Sequence, residues 1–354
     1  VDLVTALTRA RSAEEPGRGT PAGPPVPNWP GPPHPVPAAR PGELDLDRLL
    51  RLSLTASDPS GRLRPAASAG ALHPVDAVLV VGEGCPLPPG RYGHDPLRHR
   101  VHPLGPAPDG TPPGVTVELT VTERRTRSHY GHRAPPLLLL DTGHAAGALR
   151  LAAEALGARP AALHLDGLTE APLATVRVPL PTGPAPRREM PVRRSAPPPL
   201  LGPPPPEDLW ALLTTAHEAG AGELAWCAAV GPPRPGLVEA APDGTLRRLA
   251  AGEARPTLAV WAARQAWIAR AGAVLLGHGC PVRAGAPHIR RTHLRAGLAV
   301  QLTHVAAVRR GLAARPVGSW QEADLGAALG APPGRDLVVH GLALGTDHSE
   351  ERTP

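Results

Sequence analysis

The chain has 354 residues, enough for two domains of ordinary size, each able to bury its own core. Its composition is skewed, with 50 Pro, 39 Gly, no Phe and two Tyr, and its basic residues are all Arg because no Lys occurs. GC-rich coding favours Arg, Pro, Ala and Gly and accounts for the net charge of +6 without a functional cause. The competing reading is an acidic partner, such as a phosphorylated cofactor or an acidic peptide. Nucleic acid is not expected, because the Arg residues are dispersed and aromatic residues, needed for base stacking, make up only 2%. Cys85, Cys227 and Cys280 are too far apart for a metal-binding pair or a disulfide framework, so no metal is expected and a reducing cytoplasm is the simplest compartment. No run approaches the roughly 18 apolar residues of a membrane span, and Asp2 with the mixed residues after it lacks the apolar centre of a signal peptide.

Taken in order, residues 1–43 form a Pro/Gly-rich arm, and from residue 11 onward they read as an extended or disordered lead-in that contributes little core. Leu46, Leu49, Leu50 and Leu54 then fall at helical spacing, and Asp58, Pro59 and Gly61 end that helix. A strand is predicted at 75–81, and 90–95 leads into a second strand near 98–102 as a hairpin. Val115, Val117, Leu119 and Val121 alternate along a half-buried strand at 115–122. A long Ala/Leu helix is predicted from about residue 142 to 156, closed by Gly157, and one more strand within 170–180.

Residues 181–206 contain eleven Pro and read as a linker, placing one unit at 44–184 and a second at 185–354. Beyond the linker the order repeats. Helices are predicted near 207–218, 257–269 and 294–309, strands at 224–230, 272–276 and 337–344, and a turn at Pro242-Asp243-Gly244. Gly143 and Gly157 stand fourteen residues apart, as do Gly297 and Gly311 at an offset of 154, and Arg159-Pro160 and Arg315-Pro316 follow at nearly matching distances. The spacing and the shared element order together point to an internal duplication.

Three segments carry candidate chemistry. Pro65 to Pro74 is a small-residue turn between a helix and a strand. The small side chains of Ala69, Gly70 and Ala71 let a planar ligand approach the backbone, and the Ser68 hydroxyl can bond its polar edge. In a chain this rich in Ala and Gly, a plain loop is the competing reading. Arg193, Arg194 and Ser195 offer forked, permanently charged donors and a hydroxyl suited to phosphate, although a solvated basic linker explains them equally well. Arg127 to Arg133 sets Tyr130 among cationic neighbours that favour its phenolate, with His129 able to accept a proton near neutral pH. A solvated surface cluster is the alternative there.

Resemblance adds what spacing alone does not. ASAGALHPVDAVLVV, from Ala67, resembles the "PSAGALxPxxxY" segment of the azoline dehydrogenases of the SagB/McbC type within the nitroreductase superfamily. GRYGHDPLRHRV resembles the "GxYxYDPxxHxL" hairpin of that group, and RSHYGHRAPPLLLLDTGHAAGALRLAAEALG resembles its "KYGxRxxRYxLLDxGHxxxNLxLAAxALG". In the second half, residues 193–216 resemble the superfamily's opening "RRSxRxF" segment and first helix. Residues 296–320 resemble its long helix and "GLxxxPxGxF" turn.

The resemblance implies an α+β nitroreductase fold in two tandem units forming a pseudo-dimer within one chain, with higher oligomers left open. It implies one FMN held by Arg193, Arg194, Ser195, Pro316 and Gly318 from the second half and Ser68, Ala69, Gly70 and Ala71 from the first. The reciprocal site reads as decayed, because Asn28-Trp29-Pro30-Gly31-Pro32 stands where Arg-Arg-Ser is expected and GELAWCA, from Gly222, replaces the Pro-Ser turn.

The implied reaction is oxidation of a thiazoline or oxazoline in a ribosomally made precursor peptide, in company with cyclodehydratase proteins, with FMN as hydride acceptor and molecular oxygen reoxidising it. Family members carry a Lys-Tyr pair where this chain has His129-Tyr130, and Tyr130 is the stronger candidate for the base. Two other functions stay open: a nicotinamide-dependent nitro or quinone reductase, separated by whether substrate is oxidised without nicotinamide, and a flavin-free scaffold binding the peptide or its modifying enzymes, separated by the colour of the protein.

Overall fold

The structure, a computed structural model, describes residues 2–17, 19–158, 162–165, 172–183 and 193–346. The chain divides into two compact units, one made of Pro16–Val192 and the other of Val1–Glu15 with Arg193–Pro354. The expected boundary at 184/185 and the Arg159-Pro160 pair lie outside the described residues.

Helix α1 (Leu3–Arg11) is capped by Asp2, whose carboxylate accepts the amides of Val4 and Thr5. It belongs to the second-half unit, where Ala6, Leu7 and Ala10 are buried. Arg11 donates to the carbonyl of Cys280 (3.0 Å), and the Glu322 amide donates to the carbonyl of Arg11 (2.9 Å).

In the first-half unit, β1 (His34–Pro35) precedes the amphipathic α2 (Leu46–Ser53), which is capped by Asp45 and buries Leu46, Leu49 and Leu50. Strands β2 (Val75–Val81), β3 (Gly90–Asp95), β4 (Arg100–Gly105) and β5 (Val115–Val121) follow. Next come α3 (Glu123–Tyr130), α4 (Ala134–Ala155), β6 (Ala162–His164) and β7 (Ala174–Val178). The strands form one antiparallel sheet in the order β1-β4-β3-β2-β5-β7-β6. Central β2 is apolar on both faces and buried nearly throughout, whereas β5 alternates as its sequence predicts. Helix α4 is mostly buried, packed on α2, α3 and the sheet.

The second-half unit repeats this plan. Its elements are α5 (Pro206–Gly220), β8 (Ala225–Val230), β9 (Gly236–Ala240), β10 (Leu246–Ala251), α6 (Arg255–Trp261), β11 (Ala273–His278), α7 (Ala286–Arg309), β12 (Ala313–Val317), α8 (Gly326–Leu329) and β13 (Val338–Gly345). The antiparallel order β10-β9-β8-β11-β13-β12 matches β4-β3-β2-β5-β7-β6 strand for strand. Helices α4 and α7 end at Ala155 and Arg309, again 154 residues apart, and Gly157 and Gly311 follow with left-handed φ of 74° and 73°. The duplication read from four glycines is thus present in the topology of both sheets.

Several elements differ from their sequence reading. Both long helices begin earlier, at 134 rather than 142 and at 286 rather than 294, because Pro135, Pro136 and Pro287 occupy first-turn positions where a missing amide costs nothing. The helix expected over 257–269 stops at Trp261, whose carbonyl accepts the Gln321 amide (2.7 Å), and Ala263 and Arg264 adopt positive φ before a short turn at 266–270. The Pro242-Asp243-Gly244 turn joins β9 to β10, which were not foreseen as strands. The arm is not inert either. Trp29 fills the space over Gly93 and donates to His94 O (3.3 Å), β1 pairs with β4, and Val36 is buried.

Candidate functional site

Between α2 and β2 the chain makes a tight turn over Ala69–Ala71, with positive φ at Gly70 (60°), Ala71 (54°) and His73 (45°). Two of these are not glycine, so the turn holds its shape only because its surroundings over-determine it. The Ser68 hydroxyl accepts the His73 amide (2.9 Å) and donates to Asp141 Oδ2 (2.7 Å), while the Ala69 amide donates to Asp141 Oδ1 (3.1 Å). At the other end, Arg125 of α3 donates to His73 O (3.1 Å) and to Asp76 Oδ1 (2.8 Å), and Thr122 donates to Asp76 Oδ2 (2.6 Å). Arg125 and Asp76 form a buried ion pair.

The same helix α3 ends on Tyr130, because Gly131 turns away with φ of 50°. A Cβ built on Gly70 would stand 3.2 Å from the Tyr130 hydroxyl oxygen and 3.4 Å from its ring. The phenol therefore lies against the bare side of the turn. Tyr130 is half-buried, and the exposed His129 meets it edge-on, with ring centroids 4.8 Å apart at 80°. The carboxyl of Asp141 is pushed up to about 7 by burial, against the pull of its two donors. Ser68 and Asp141 line a narrow cavity with Arg64, His73, Asp76 and His94. The unit thus sets a phenol, an imidazole and a small-residue backbone platform side by side, which is a group suited to proton transfer beside a flat ligand.

In the second-half unit, Arg193 is buried and donates to Ser195 Oγ (3.2 Å), and burial lowers its guanidinium to about 10, so it stays charged at neutral pH. Arg194 and Ser195 are exposed. Their backbone is fixed from two sides. His304 Nε2 lies 3.2 Å from Arg194 O, and burial, with Arg193 adding to it, keeps that imidazole neutral, so the ring nitrogen is a donor. The Ala196 amide donates to Ala314 O (3.0 Å), and Arg315 donates to Ala196 O (3.2 Å). Pro316 lies in β12 opposite Leu342, and Gly318 follows just past the strand end. Three guanidinium groups and a hydroxyl thus sit on two neighbouring backbone segments, a donor set that fits a phosphate monoester.

Each unit brings together the candidate residues it contains. Ser68, Ala69, Gly70, Ala71, His129 and Tyr130 gather in one, and Arg193, Arg194, Ser195, Pro316 and Gly318 in the other. Sequence reasoning missed Asp141, Arg125 and Arg315. A signal for Asp141 existed, since a lone carboxylate interrupts the apolar run LLLLDTGHAAG in a helix that is buried on nearly every side. At the 154-residue offset, Tyr130 becomes Ala284 and Asp141 becomes Arg295, so the second unit cannot build the same turn support.

This arrangement of sheets and helices defines a class: the chain has the α+β nitroreductase fold. No family model matches the sequence, and no curated protein matches it. Among solved structures, a protein from Anabaena variabilis assigned as a nitroreductase superposes with a TM-score of 0.76 at 18% identity, covering 98% of this chain and 100% of that one. The E. coli microcin synthetase McbBCD complex with truncated pro-MccB17 bound overlaps 38% of this chain and 62% of its own at 20% identity, with a TM-score of 0.32. A protein from Desulfovibrio desulfuricans assigned as a nitroreductase, in complex with FMN, overlaps 46% of this chain and 87% of its own at 20% identity, also with a TM-score of 0.32. Among the described residues, no helix is long and apolar enough to cross a membrane and no cluster of metal-binding side chains occurs.

Proposed function

We propose that this protein is an FMN-dependent dehydrogenase that oxidises azolines, thiazolines foremost, to azoles in a ribosomally made peptide. The observation that carries the reading is the contact of Tyr130 with Gly70. Two segments that resemble azoline dehydrogenase motifs, separated by sixty residues of chain, come together there, which supports a base beside a flat ring.

FMN fits the residues present. Taken unit by unit, Arg193, Arg194, Ser195 and Arg315 offer the donors a phosphate requires in one, and Ala69–Ala71, with Gly70 exposed, offers a surface without side-chain bulk in the other. When bound, FMN supplies the hydride acceptor. The chain supplies the proton chemistry and the positioning. Tyr130 removes the proton from the ring carbon next to the carbonyl, and His129, exposed beside it, passes that proton to solvent. A cyclodehydratase would furnish the azoline-bearing peptide, and molecular oxygen would take the electrons from the reduced flavin.

The test is incubation of the purified yellow protein with an azoline-bearing peptide in air, without nicotinamide. The expected result is loss of one H2 per ring by mass spectrometry. Intact azolines with a fully flavin-loaded protein would reject the reaction, and dependence on added NADH or NADPH would favour a reductase.

A further inference from the structure

We propose that Asp141 is a positioning residue for Tyr130, acting through the Ser68–Ala71 turn. The inference rests on the reading of Tyr130 as the base, and it assigns a task to a carboxylate that the reaction itself does not use. Asp141 is 4% exposed on a helix with no other acidic residue before Glu154, and both its oxygens are committed to the turn, one to Ser68 Oγ and one to the Ala69 amide. Ser68 relays the grip to the His73 amide, so a single carboxylate fixes residues 68, 69 and 73 of a backbone whose φ angles are positive at 70, 71 and 73.

Gly70, the residue between those anchor points, faces the Tyr130 phenol so closely that a Cβ there would stand 3.2 Å from the hydroxyl oxygen and push it aside by a few tenths of an ångström. From the other side, Arg125 holds α3 to His73 O and Asp76. The turn is thus held at one end by Asp141 of α4 and at the other by Arg125 of α3, the helix that carries Tyr130, and Asp141 sets the depth at which the Gly70 backbone meets the phenolic oxygen. A shift of an ångström in such a contact costs catalysis far more than it costs binding.

The test exploits the composition of the chain. Tyr92 and Tyr130 are the two tyrosines, so the flavin-loaded full-length protein made with 3-fluorotyrosine gives two fluorine resonances, assigned with Y92F. Tyr92, which is buried and bonded to Pro88 O (2.8 Å), reports whether the fold is intact. In S68A and D141N, the Tyr130 resonance should move while the Tyr92 resonance stays, and kcat for an azoline peptide should fall about 10- to 100-fold with KM changed little. The double variant S68A/D141N should be no worse than the poorer single variant, since both changes cut one linkage. An unmoved Tyr130 resonance in both single variants, with kcat near that of the wild type, overturns the proposal. A wild type that leaves azolines intact, while S68A and D141N still move the Tyr130 resonance, rejects the reaction and retains the positioning role.

Discussion

Gly70 and Tyr130 are separated by a gap that a single methyl group would close: a Cβ on Gly70 would stand 3.2 Å from the phenolic oxygen, and the backbone there has φ of 60°. G70A therefore meets two obstacles, a strained conformation worth about 1 kcal/mol and a displaced phenol. The expected outcome is a small drop in thermal stability and a disproportionate loss of kcat. A variant that loses stability and keeps full turnover would show that the contact does not matter to the chemistry.

Y130F keeps the ring and removes the proton acceptor. If Tyr130 is the base, kcat should fall by about 10²- to 10⁴-fold, while flavin content stays at the wild-type level. H129A should cost less, since solvent reaches that side chain and can substitute as the relay. Equal losses in the two variants would shift the base assignment toward the imidazole.

Flavin retention should report on the other unit. Arg194 and Ser195 are exposed, so R194A and S195A remove phosphate donors without emptying the core. Each should weaken FMN binding about 10-fold or more, seen as loss of yellow colour on gel filtration and recovery with added FMN. Full flavin occupancy in the double variant after extensive dialysis would place the phosphate elsewhere.

The ion pair beneath the turn gives a stability prediction. R125M would leave Asp76 buried without its partner, and the expected loss is about 3–5 kcal/mol in urea unfolding. A change below about 1 kcal/mol would mean that Asp76 finds other compensation.

Asp141 should make stability depend on pH in a defined window. Unfolded, this carboxyl releases its proton near 3.8; folded, burial holds the proton up to about 7. The folded state therefore binds the extra proton between these values, so the contribution is fully present at about pH 4 and lost as pH rises through 7. D141N lacks this loss. Its stability relative to wild type should climb by up to about 4 kcal/mol across that window and stay level outside it. Of the neighbours in the cavity, His94 is held neutral by burial at a value of about 3 and Arg64 stays charged at about 10, so neither changes charge in between. His73 and Asp76 are common to both proteins and cancel in the difference. A flat difference would mean that the carboxyl stays ionised in the folded protein.

The sequence made the repeating plan legible where periodicity and glycine caps are local signals, as at Leu46–Leu54, Val115–Val121 and the Gly157 and Gly311 helix ends. It misled where a long-range contact decides. Gln321 terminates the helix at Trp261, and nothing near residue 261 encodes that. The edge strands β1 and β12 each contain a proline, which argues against a strand until one knows that it lies at an edge. Candidate residues with exposed or small side chains could be read from type and order. Asp141 stood out only as a lone carboxylate in an apolar run and Arg125 not at all, because their importance lies in which backbone atoms they reach.

Helix α1 has a consequence for how the gene can be cut. Its buried face and Arg11 belong with residues 193–346, although roughly one hundred and eighty residues of the other unit intervene in the chain. Dividing the coding sequence at the proline run would therefore not release two natural pieces. A separately expressed second half would lack its own first helix, and to be whole it would need those fifteen residues grafted back or supplied in trans.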